Sequence, residues 1–299
     1  MPGGQERILR RRIRSVQATQ KITRAMELIA ASQIVRAQGR IASAKPYQAG
    51  IAAVLAEAAA DAGSTAGRVL GVPESPEHVL VIAIVADRGL CGGYNANVLR
   101  PTERMVRPGG SPGGEYRLVT VGRKAQSFFR FRRIEVETSF SGFSDRPTFE
   151  DARAIAAAVT PAFLDEEVDQ VLIVSTRFLS AGTQVVETRQ LLPLPEPGGD
   201  DERPSTSGGY TEFEPASPEL LVELVPRYVE AAVFGALLEA SASEHTARQR
   251  AMAAATDNAE DLVKTLTRVM NRARQDAITT EIMEIVGGAE ALRQSADSD

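Results

Sequence analysis

The carboxy-terminal third of the chain carries a pattern that few folds can satisfy. Met252, Ala255, Ala259, Leu262, Leu266, Val269 and Ala273 recur at alternating steps of three and four, the 3.5-residue period of a left-handed coiled coil. Ser217-Pro218-Glu219 supplies an N-cap, a first-turn proline and an acid at the positive end of a helix, so the pattern predicts one helix from Ser217 to about Ala289, with Pro226 able to bend its first turns. Roughly seventy residues at ~1.5 Å rise each give a length on the order of 100 Å. No small domain covers a helix of that length, and its apolar stripe needs a second helix.

The amino end supplies that partner. From Gln5 to about Ala60 the sequence is rich in Ala, Arg, Gln, Ile and Met, with no proline before Pro46, and these are mostly good helix formers. Leu9, Ile13 and Val16, then Ile22, Met26 and Ile29, step by three and four, with Gln20 and Gln33 on or near the stripe. Pro46 removes a backbone donor, so a break near Lys45 is expected, dividing this helix into two segments. Pairing the two terminal helices antiparallel buries both stripes, and alanines along the seam bring them close into a slim rod.

The middle of the chain has a different grammar. Val79–Val85 is a continuous apolar run of strand length, suited to a strand covered on both faces of a parallel sheet. The glycine-rich turn ADRGLCGGYNANV follows. Tyr116–Val121, Ile134–Phe140 and Val171–Ser175 read as strands, with Phe149–Leu164 helical between them. The fold class expected is therefore an α/β, Rossmann-like domain inserted between long N- and C-terminal helices that pair as an antiparallel coiled coil. Its divisions are a coiled-coil helix over 1–60, an α/β domain over 75–195, a loop over 196–216, a coiled-coil helix over 217–290 and a flexible tail over 291–299. Gly109–Gly114 is expected to be a second solvent loop.

Catalytic chemistry finds little support. Gly89, Gly92 and Gly93 are spaced GxxGG, which is neither the dinucleotide nor the P-loop pattern. The reading favoured for this stretch is a tight strand-to-helix turn, with Asp87 capping or pairing locally and Cys91 as a small apolar filler. His78 and His245 are far apart and lack neighbouring ligand patterns. No serine sits in a GxSxG setting. Cys91 is the only cysteine, so no internal disulfide or thiolate-rich metal site can form. No cofactor and no metal is expected. Residues 1–45 carry ten Lys or Arg against Glu6 and Glu27; without interleaved aromatics this basic end does not suit base stacking. No run of about twenty apolar residues and no apolar leader is present, so the chain reads as soluble.

Three stretches together, QATQKITRAMELIAAS, DRGLCGGYNAN and ATDNAEDLVKTLTRVMNRARQDAITTEIMEIVGGA, resemble the gamma subunits of F-type ATP synthases. The resemblance runs along nearly the whole chain and is looser between Pro101 and Pro193. It implies a non-catalytic rotor shaft that stands inside a hexamer of alpha and beta subunits and touches epsilon and the c-ring. Such a shaft couples proton flow to ATP synthesis and governs ATPase activity. It also implies a peripheral place on the cytoplasmic face of a bacterial plasma membrane. By motif match, contacts with the surrounding subunits fall to Met26, Arg88, Arg248, Arg274, Gln275, Thr279 and Glu281. Each also has a plain structural reading: seam packing for Met26, a turn-stabilising pair for Arg88, an exposed helical face for the others. Gln33 stands where the family usually has lysine, Met270 where an aromatic is common, and Asp276 adds an acid. A free-standing helical scaffold and a nucleotide-dependent enzyme are the rival readings, separable by partner recovery and by nucleotide binding to the chain alone.

Overall fold

The computed structural model describes residues 3–62, 76–107, 114–194 and 216–296. In chain order the elements are α1 (Gly3–Ala62), β1 (His78–Ile84), α2 (Tyr94–Val106), β2 (Glu115–Val121), α3 (Arg123–Arg132), β3 (Thr138–Phe140), α4 (Phe149–Leu164), β4 (Gln170–Phe178), β5 (Gln184–Leu192) and α5 (Ser217–Ala296). Most of the expected loops at 109–114 and 196–216, and the last three residues of the expected tail, lie outside the described residues; residues 291–296 continue α5.

Two compact units share the long helices: residues 1–28 with 250–299, and residues 29–249. In the larger unit the described strands form one sheet in the order β3-β2-β1-β4-β5. The first four are parallel and β5 pairs antiparallel with β4. All six residues from Val79 to Ile84 are buried, because both faces of this central strand are covered. Leu80, Ile82 and Ile84 face a core closed by α4 and by Leu55 of α1 and Val225, Val229 and Val233 of α5. Val79, Val81 and Ala83 face a second core under Val98 of α2 and Phe129 of α3. A capping box fixes the start of α4: the Thr148 hydroxyl accepts from Asp151 N at 3.3 Å while the Asp151 carboxylate accepts from Thr148 N at 2.7 Å.

Several expectations change. Helix α1 is unbroken through Pro46: Pro46 and Ala42, whose carbonyl loses its usual donor, are both exposed, so water can serve that carbonyl. Helix α5 likewise runs unbroken through Pro226. The expected strand over Ile134–Phe140 shortens to Thr138–Phe140, and the edge strand β5 joins the sheet unforeseen.

In the smaller unit the seam also shifts. Thr23 and Thr256 are buried with their hydroxyls 2.8 Å apart. Ile13 and Leu266, each ten residues further toward its own chain end, are buried too, so the helices run antiparallel. Met252 and Ala259 complete the buried set. Ile22 (61% exposed), Leu262 (41%) and Val269 (46%), placed on the stripes by sequence, face outward. Thr23, on α1, and Thr256, on α5, occupy the seam instead, each sending its hydroxyl to a carbonyl of its own helix, Gln20 O and Met252 O. Small side chains with self-satisfied hydroxyls let the two backbones approach closely, which bulky isoleucines at the same level would prevent.

Candidate functional site

The turn after β1 is organised by Asp87, whose side chain is almost wholly buried. Its carboxylate accepts from Arg123 N at 3.0 Å, Gly142 N at 2.8 Å and Ser144 N at 3.1 Å, and its own N–H donates to Ser144 Oγ at 2.9 Å. Burial alone would raise its pKa, but the three amides with the Ser144 hydroxyl hold it below the ordinary carboxylate value. The site lies at the carboxyl ends of β1 and β2, where open α/β sheets of this kind take up nucleotides and where loop amides cradle phosphates. Here the amides are engaged by the chain's own carboxylate. Gly122 closes the turn at φ 98°; a Cβ there would stand 2.2 Å from Val85 O.

Helix α5 docks on this turn through a buried polar stretch. Ser241 Oγ donates to Asp145 O at 2.9 Å, and His245 Nε2 lies 3.1 Å from the same oxygen. Tyr94 donates its hydroxyl to Ala240 O at 3.1 Å. Glu244, 1% exposed, pairs with Arg248 at 2.8 Å, and Arg248 also donates to Gly89 O at 3.3 Å. Burial raises the Glu244 pKa and Arg248 opposes it. Burial also raises the Cys91 thiol, which accepts from Asn95 Nδ2 at 3.2 Å; it is a packed, inert group.

His245 gives this docking a pH signature. Burial holds its pKa below the ordinary 6.5, against the opposing bond to Asp145. A base depressed in the folded state binds fewer protons there than when unfolded, so its share of stability is present above about 6.5 and is lost as pH falls below it. Glu244 and Glu239, raised by burial, act in the opposite sense and are common to parent and variant, so lowering pH from about 7.5 to 5.5 is expected to shift the urea midpoint of the parent downward relative to that of His245→Asn.

Of the residues assigned by motif, Arg88 and Arg248 come together around this turn, Arg88 in an ion pair with Asp145 and Arg248 nearly buried against Glu244. Met26, half-buried on α1, and Arg274, Gln275, Thr279 and Glu281, all exposed on α5, belong to the smaller unit. There α5 outruns its partner. With Ile13 level with Leu266, the start of α1 at Gly3 is level with residue 276. Past that level Ile278, Ile282, Met283, Ile285 and Val286 are exposed at 48–72%. Glu244 and Asp145, which build the turn's surroundings, were not singled out in the sequence; the signal was the polar run SASEH inside an otherwise apolar stretch of helix. Among the described residues no group of three or more His, Cys, Asp or Glu could hold a metal ion, and no helix is long and apolar enough to cross a membrane.

An α/β domain whose turn amides after β1 are held by its own Asp87, inserted in sequence between two long helices that pair antiparallel, defines the class of chain. The family model described as ATP synthase matches residues 5–292. The ATP synthase gamma chain of Frankia casuarinae is 48% identical over 295 residues, covering 97% of this chain and 98% of that one. That of Mycolicibacterium vanbaalenii is 46% identical over 302 residues, covering 96% and 97%. The chain belongs to the ATP synthase gamma chain family. In fold it resembles a chain of the Euglena gracilis mitochondrial ATP synthase in rotational state 3, with TM-score 0.69 at 19% identity over 97% of this chain and 95% of that one. A rotor chain of the same complex in rotational state 1 gives TM-score 0.65 at 18% identity, over 92% and 99%.

Proposed function

We propose that this chain is the central rotor shaft of an F-type ATP synthase. In this reading it is turned by the proton-driven c-ring and drives the catalytic alpha/beta hexamer, with epsilon bound at its α/β domain and no nucleotide chemistry of its own. The observation that carries the proposal is in the smaller unit. Its seam closes on Thr23, Thr256 and Ala259 together with Ile13, Met252 and Leu266, while Ile8, Ile22, Leu262 and Val269 face outward along the pair and Ile282 and Ile285 along the part of α5 beyond it. Large apolar side chains exposed along so much of these two helices fit an enclosing apolar sleeve. The shaft is then a peripheral component on the cytoplasmic face of a bacterial plasma membrane, held there through the c-ring.

Coupling follows from contact that differs among the conformations of the surrounding subunits, since a shaft can bias an equilibrium only by as much as it contacts two states differently. Exposed arginines suit this: solvent-accessible ion pairs are individually weak, on the order of 0–1 kcal/mol, so contacts can form and release as the shaft turns. Met26, Arg88, Arg274, Gln275, Thr279 and Glu281 are the candidate contacts, and Arg248 the one whose nearly buried pair with Glu244 favours an internal role. Gln275 is exposed and lies outside the seam, so Gln275→Ala is expected to leave assembly intact and to lower coupled ATP synthesis a few-fold in inverted membrane vesicles. Synthesis at the unaltered rate would remove Gln275 from the contact set.

A further inference from the structure

The face of the α/β domain formed by α2 and α3 carries a charge that the rotor reading does not use. Residues 94–107 and 123–133 hold Arg100, Arg104, Arg107, Arg123, Lys124, Arg130, Arg132 and Arg133 against the single acid Glu103. These two helices with their caps are thus about +7 in a chain of net −5. Glu103 is nearly buried and pairs with both Arg107 (3.1 Å) and Arg132 (3.3 Å), which pins α2 to α3. Arg123 lies 3.7 Å from Asp87. The other five, Arg100, Arg104, Lys124, Arg130 and Arg133, are exposed and form no ion pair among the described residues. Among them Phe131 stands 82% exposed, the most exposed large apolar side chain among the described residues.

We infer that this face docks an acidic protein surface, a carboxylate-rich patch with an apolar recess that takes Phe131. Like charges crowded on one face repel one another and raise association with an opposite patch. The cations are arginines save one, and their planar forks match carboxylates in pairs. Phe131, exposed and flanked in sequence by Arg130 and Arg132, combines the aromatic and arginine side chains in which protein interfaces are enriched. An anionic membrane surface fits less well, because a surface-bound helix needs a broad apolar face. Helix α3 has none free: Phe129 is fully buried and Phe128 half-buried against the sheet, and Phe131 remains alone. A nucleic acid fits less well for the same reason, with one aromatic for stacking.

The inference rests on the chain being part of a larger assembly, and the experiment separates the two. Phe131 is replaced by a photo-crosslinking phenylalanine analogue in the full-length tagged chain, and the complex is purified from native membranes, irradiated and digested. The expected result is a crosslink to a peptide of another protein subunit with several Asp or Glu nearby, lost at least about tenfold in the Arg100→Glu, Lys124→Glu, Arg130→Glu variant. These three side chains are exposed, so an unchanged thermal melt of the variant establishes that the fold survives. Crosslinks to lipid, to nucleic acid, to a second copy of this chain, or to no other molecule would overturn the inference. So would a crosslink that the reversed charges leave undiminished. Failure to recover ATP synthase subunits with the chain would instead count against the rotor reading.

Discussion

Gly122→Val is expected to destabilise the larger unit by roughly 4 kcal/mol, a large share of the ~5–15 kcal/mol that holds a typical domain folded. A β-branched residue at φ 98° carries on the order of 1–3 kcal/mol of backbone strain. Its Cβ would also stand 2.2 Å from Val85 O and 3.0 Å from Ala86 O, and those oxygens are backbone atoms of the segment leaving β1, which cannot swing aside as a flexible side chain would. Relief needs the turn to open, and opening it takes the Arg123 amide away from Asp87. Urea unfolding of the purified chain reads the loss directly. A midpoint unchanged from the parent would mean that the turn is not held as described.

The second large effect concerns Arg248. Truncating it to alanine removes the partner of a carboxylate that is 1% exposed, and a buried charge stripped of its partner costs about 3–5 kcal/mol. Arg248→Ala is therefore expected to melt well below the parent as an isolated chain, before any partner subunit is present. Glu244 then relieves the strain by taking up a proton. Its pKa, already raised by burial, rises further without Arg248. A carboxyl raised in the folded state adds stability that is present at low pH and is lost as pH rises through its folded value, so the variant recovers on mild acidification. The added change Glu244→Gln should restore part of the stability at neutral pH. An isolated Arg248→Ala chain that melts like the parent yet fails in coupled synthesis would place Arg248 among the contacts to surrounding subunits.

Much of this architecture could be read from sequence because it rests on period and punctuation. The unbroken apolar run at Val79–Val85 announced a strand covered on both faces, and the step of three and four before Ala273 announced a paired helix. The seam itself was harder. The apolar pattern picks out Ile13, Met252, Ala259 and Leu266, which are buried, but also Ile22, Leu262 and Val269, which are not, and it passes over Thr23 and Thr256, whose small side chains let the backbones approach. Where the seam narrows to Thr23 and Thr256 the two criteria, apolarity and size, disagree. Strand β5 escaped notice because Glu187, Thr188, Arg189 and Gln190 break the apolar pattern, as an edge strand with one wet side allows. At the turn, Asp87 was legible as a local cap, whereas the pairing of Gly89 with Arg248, 159 residues apart, leaves no local trace. Arg88 and Arg248 were singled out by resemblance, and their geometry gives them different work, one exposed and one nearly buried.

As a rotor shaft the chain turns inside a catalytic hexamer without doing nucleotide chemistry. Purifying the tagged full-length chain from its native membranes, identifying what accompanies it and assaying ATPase activity in the complex and in the separated chain tests this most directly. Alpha, beta and epsilon subunits are expected in the recovered complex, with turnover present there and absent from the chain alone. A chain recovered without those subunits, or one that hydrolyses ATP by itself, would contradict the rotor reading.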